Sequence, residues 1–91
     1  MFDAGSMLQA LSYLLKITLM AYFQFIDRIK RTDFFIRTEA TGNAVELATK
    51  LGVSRRRIFD YLDIMKDKGA EIEFDKKKKT FYYKNNFKLN F

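Results

Sequence analysis

The four residues Leu51-Gly52-Val53-Ser54 constrain this chain more than any other stretch. Glycine adopts at least cost the left-handed conformation that closes a helix. Serine is a strong N-cap, its hydroxyl accepting an amide from the first turn of the helix it precedes. Set two residues apart, they end one helix and begin another with no room for a linker. The helix before them follows a break at Gly42-Asn43, runs from about Ala44 to Lys50 and ends at Gly52. The helix after them runs from Arg55 to about Lys68, where Gly69 stops it.

Beyond Gly69 the apolar period switches from helical to two. Ala70, Ile72 and Phe74 alternate with Glu71, Glu73 and Asp75, as in a half-buried strand. Lys76, Lys77, Lys78 and Lys79 form a charged tip, and Thr80-Phe81-Tyr82-Tyr83-Lys84 returns as the partner strand. Asn85-Asn86 signals a turn. The alternation of Phe87, Leu89 and Phe91 predicts a short third strand.

Upstream, residues 7–29 are mostly apolar, with polar residues at 9, 12, 16, 24, 27, 28 and 31 marking one side of a helix. Leu8, Leu11, Leu15, Leu19, Tyr22, Ile26 and Ile29 make a broad apolar face, which predicts one or two amphipathic helices. Phe34 and Ile36 extend the pattern to about Arg37, with an end near Thr38 to Thr41. Lys16, Gln9 and Gln24 argue against a membrane span, which wants about twenty residues with few or no charges. A signal peptide's basic start and small-residue cleavage site are missing. Residues 1–19 are expected to be an amphipathic extension suited to dimerisation, and 20–91 the domain proper. Met20 as the functional start would make the extension dispensable.

The chain has 91 residues and no His, Cys, Trp or Pro. One domain is expected at this length. Tetrahedral zinc, iron–sulfur, haem, disulfide and thiol or imidazole chemistry are excluded by residue type. Only Ser6, Ser12 and Ser54 carry a serine hydroxyl, with no imidazole to activate one. No enzyme and no cofactor are expected. The net charge of +6 is uneven: residues 44–91 hold twelve basic and seven acidic side chains, and the run from Lys76 onward has six Lys and no acid. Such concentrated basicity suits a polyanion, either nucleic acid or an anionic surface.

Helix, three-residue turn, helix and hairpin is the plan of a winged helix-turn-helix. The expected fold is therefore mainly α with a small β-hairpin, a winged helix-turn-helix plus an extra N-terminal amphipathic helix. Ala48 falls where the two helices cross and only a small side chain lets the backbones approach. Ile58, ten residues on, returns to the same core with Leu47, Leu51, Val53 and Leu62. The stretch Glu46-Leu47-Ala48-Thr49-Lys50-Leu51-Gly52-Val53-Ser54-Arg55-Arg56-Arg57, then Tyr61-Leu62, Met65-Lys66 and Lys68-Gly69-Ala70-Glu71-Ile72, resembles the N-terminal winged-helix domain of DeoR-type repressors. It is also similar to the DNA-binding domain of the biotin-operon repressor. Over roughly residues 20–84 the resemblance implies a double-stranded DNA binder, usually a cytoplasmic transcriptional regulator. Those families carry a large effector domain after the wing, which has no counterpart before Phe91, so no small-molecule ligand is implied.

Within the third helix, Ile58, Tyr61, Leu62 and Met65 share the face expected in the core. Arg56 points away from it, above Asp60, Asp63 and Asp67. The N-terminal end of such a helix enters the major groove, which brings Ser54, Arg55, Arg56 and Arg57 to the DNA. Arg56 is the candidate for guanine O6 and N7, while Arg55 and Arg57 suit phosphates. The alternative is a solvated helix start. Asp60 fits cytosine N4 or an i, i+4 pair with Arg56, and the acids limit groove entry to the first turn or two. The Lys76–Lys79 tip suits the DNA backbone, or solubilises a hairpin end. Phe81, Tyr82 and Tyr83 admit base stacking. The apolar face of residues 7–29 would join a homodimer whose paired helices address two half-sites. A protein-interaction module using the wing or the acidic stripe is the competing function, and a peripheral membrane protein a weaker one.

Overall fold

A computed structural model describes residues 4–90. It is mainly helical, with α1 at Ala4–Arg37, α2 at Ala44–Leu51 and α3 at Arg55–Asp67, followed by an antiparallel hairpin of β1 (Ile72–Asp75) and β2 (Thr80–Tyr83). The hairpin pairs Ile72 with Tyr83 and Asp75 with Thr80, leaving the four lysines as its tip.

Each helix ends in the same way, by a residue of positive φ. The Gly52 N–H donates to Thr49 O at 3.2 Å and Val53 N–H to Ala48 O at 3.0 Å. After α3, Gly69 N–H donates to Lys66 O at 2.9 Å and Ala70 N–H to Met65 O at 3.0 Å. These are Schellman pairs, which satisfy the last carbonyls of a helix when the chain turns left-handed. At the end of α1 the same pair forms around Glu39, at φ 52, with Ala40 N–H on Phe35 O at 2.9 Å. Helix starts are capped as well. Ser54 Oγ accepts from Arg57 N–H at 3.1 Å, as expected, and Asn43 Oδ1 accepts from Glu46 N–H at 2.9 Å, which makes Asn43 a cap and not merely a break.

One buried cluster joins the elements: Ile29 and Ile36 of α1, Leu47, Ala48 and Leu51 of α2, Ile58, Tyr61, Leu62 and Met65 of α3, then Ala70 and Ile72. Phe25 meets the Tyr61 ring edge-on at 6.0 Å. Two polar clusters bind the hairpin to α1 and to the loop that follows it. Thr41 and Thr80, both fully buried, share a hydroxyl contact of 3.0 Å, and Thr41 Oγ1 also accepts from Phe81 N–H at 2.8 Å. The Tyr83 hydroxyl donates to Asp33 Oδ1 at 2.6 Å, while Arg37 Nε donates to Asp33 Oδ2 at 2.9 Å.

Two sequence expectations change. The third strand is not formed: the sheet has two strands among the described residues, and Phe91 lies outside them. Phe87 and Leu89 pack by their side chains alone, Phe87 against the Tyr83 ring at 5.3 Å. Asn85 instead closes the hairpin's open end, accepting from Glu71 N–H and donating to Gly69 O. Upstream, one helix runs unbroken through Met20, and every side chain from Gly5 to Gln24 is exposed. The packed body starts at Phe25, so α1 projects well beyond it and the longest dimension reaches 64 Å. No helix of the described residues is long and apolar enough to cross a membrane.

Candidate functional site

The opening turn of α3 carries the densest cationic surface outside the hairpin tip. Arg55, Arg56 and Arg57 are all exposed, and none lies within salt-bridge distance of a carboxylate among the described residues. The Arg56–Asp60 pair considered from spacing is not formed. Nor is this turn covered among the described residues, since residues 5–24 and 55–57 are all exposed. Ser54 holds the turn through the Arg57 N–H, and the amides of a helix start carry partial positive charge that favours an anion. Ile58, Tyr61, Leu62 and Met65 are buried on the opposite face, which fixes the direction in which Arg56 projects. Asp60, Asp63 and Asp67 are exposed, as their register requires.

Sequence reasoning passed over Phe59. It is 42% exposed, and the Arg55 guanidinium carbon lies 5.6 Å from its ring centroid. Arg55, Arg56 and Phe59 together line a shallow hollow. The signal was the i, i+4 spacing of Arg55 and Phe59, which lets a cation lie over the ring.

At the hairpin tip Lys76, Lys77, Lys78 and Lys79 are exposed. Asp75 Oδ1 organises the turn, accepting from Lys77 N–H at 2.8 Å and Lys78 N–H at 3.0 Å. Lys78 Nζ also lies 3.7 Å from Glu39 Oε2, so one of the four ammonium groups is shared with the end of α1. Behind the tip, the aromatic residues face inward or along the sheet. Phe81 packs on Phe74 at 5.0 Å and Tyr83 is bonded to Asp33, whereas the Tyr82 hydroxyl reaches Glu73 at 3.3 Å. Phe81 and Tyr83 therefore have their rings engaged within the fold.

Compared with protein-family models, curated proteins and solved structures, the chain shows no significant match to any of them.

Proposed function

We propose that this chain is a sequence-specific double-stranded DNA-binding protein of winged helix-turn-helix type, a small transcriptional regulator rather than an enzyme. The observation that carries it is the exposed, outward-facing Arg55-Arg56-Arg57 turn at the capped start of α3, without a salt bridge among the described residues. Arg56 takes the base edge, Ser54, Arg55 and Arg57 take phosphates, and the Lys76–Lys79 wing lies on the backbone. Asp60 sits at the limit of groove entry, where cytosine N4 is the donor it suits. Two copies joined through α1 would address two half-sites. A cytoplasmic location belongs to the same reading.

A labelled duplex pool titrated at several salt concentrations tests it. Expected is affinity that falls steeply with salt, by about 0.9 in the log–log slope per phosphate contacted, and that Arg56→Ala weakens. Absence of duplex binding at low salt overturns the proposal. Should a partner protein bind the Asp60, Asp63 and Asp67 face instead, the interaction-module function takes its place.

A further inference from the structure

The apolar stripe of α1 does not stop where the body begins. Positions 8, 11, 15, 18, 22, 25, 29, 32 and 36 alternate spacings of three and four, the a/d repeat of a coiled-coil seam. The last four are taken up by the chain's own body: Phe25 meets Tyr61, and Ile29, Thr32 and Ile36 are fully buried. The first five face solvent. A strict heptad drifts only about 20° per repeat on a straight helix, so the open half of the seam stays on the side the body occupies.

The open half is prepared for burial. Thr18 sits where Thr32 sits two heptads later, and both hydroxyls donate back to their own helix, Thr18 to Leu14 O at 2.9 Å and Thr32 to Arg28 O at 2.8 Å. Covering Thr18 therefore strands no donor, as burial of Thr32 strands none. Lys16 is the sole charge from Gly5 to Gln24, and it lies off the seam. Helices in proteins draw most of their stability from packing an apolar face, and the face presented by residues 5–24 is exposed. An uncharged, self-satisfied a/d seam matches a second copy of itself.

Resting on the homodimer proposed above, we infer that two copies pair antiparallel along residues 5–24. From Phe25 onward the body fills the side of α1 on which a partner would lie. A parallel partner would run into that body. An antiparallel partner departs past the opposite end of α1 and carries its own body there. The two-fold axis then crosses near Lys16, and the two bodies sit at opposite ends of the helix pair.

The full chain has no cysteine, so Gln9→Cys, Lys16→Cys and Phe23→Cys place single spin labels on the outward side of the seam for distance measurement, without DNA. Antiparallel pairing gives a short distance at 16 and longer ones at both 9 and 23, with an axial offset of about 21 Å from seven residues on each chain. Short, equal distances at all three overturn the orientation and leave the homodimer standing. A monomer by sedimentation, with or without partition into phosphatidylcholine–phosphatidylserine vesicles, overturns both. Leu15→Glu, on the exposed seam, is expected to turn the dimer into a monomer whose body still unfolds cooperatively in urea. A dimer unaffected by Leu15→Glu counts against the seam.

Discussion

The Tyr83 hydroxyl and the Asp33 carboxylate, fifty positions apart in the chain, meet at 2.6 Å and tie the end of the hairpin to the C-terminal end of α1. Asp33 is only 7% exposed and receives Arg37 on its other oxygen. Hydrogen bonds to charged groups contribute about 1.5–3 kcal/mol. Tyr83→Phe keeps the ring and leaves one buried carboxylate oxygen without its donor, so urea unfolding is expected to show a loss of about 1–3 kcal/mol.

The same hydrogen bond sets an alkaline limit. Burial first, and the bond to Asp33 second, push the Tyr83 phenol far above its ordinary range. Because the folded phenol holds its proton where the unfolded one releases it, the contribution is complete below about pH 10 and is lost as pH rises above it. Urea midpoints of the wild type are expected to fall more steeply above pH 10 than those of Tyr83→Phe. Parallel curves for the two proteins would remove Tyr83 as the cause.

Two helix ends solve one backbone problem with different residues. A Cβ on Gly52 meets nothing within 4 Å, so its substitution costs backbone strain alone. Gly52→Ala is expected to lose about 1–2 kcal/mol, and Gly52→Asn less, because asparagine tolerates the left-handed region. Glu39 already carries that strain at φ 52. Glu39→Gly is therefore expected to raise the melting temperature, the gain held to roughly 0.5–1 kcal/mol by the extra freedom of glycine in the unfolded chain.

Features that depend on neighbouring residues were legible in the sequence. The Gly52–Ser54 turn follows from one left-handed residue and one cap, and the buried face of α3 from its 3.6-residue period. Long-range pairs were not legible. Asp33 reads as one more charge between apolar positions until the fold brings Tyr83 to it, and Thr41 meets Thr80 across thirty-nine positions. Alternation at Phe87 and Leu89 reports that alternate side chains are covered, which a docked extended segment achieves as well as a ladder does. The unbroken course of α1 was hidden because its residues from Gly5 to Gln24 are exposed, and an apolar stripe that is not packed into the body fits one helix or two equally.

Every residue of the buried cluster lies after Met20, the first of them Ile29. A chain begun at Met20 therefore keeps its core, its caps and the Tyr83–Asp33 bond. Its melting temperature is expected to stay within a few degrees of the full chain's under conditions where both are monomeric, with lower helical dichroism. A large loss of cooperativity would mean that residues before Met20 support the body directly.

If the chain binds DNA as proposed, the hairpin tip offers the sharpest test of how many phosphates it meets. Lys76, Lys77 and Lys79 have no ion-pair partner among the described residues, whereas Lys78 is shared with Glu39. Replacing Lys76, Lys77 and Lys79 together by Ala is expected to flatten the log–log salt dependence of duplex binding by up to about 0.9 for each phosphate no longer neutralised. Glu39→Gln acts in the opposite direction, since it releases Lys78 from a carboxylate and removes a negative charge beside the tip. An exposed pair of this kind holds its partner by no more than about 1 kcal/mol, so the gain in affinity is expected to be severalfold at low salt and to vanish at high salt. A slope indifferent to both substitutions would leave the hairpin tip outside the interface and the whole salt dependence with the Arg55-Arg56-Arg57 turn.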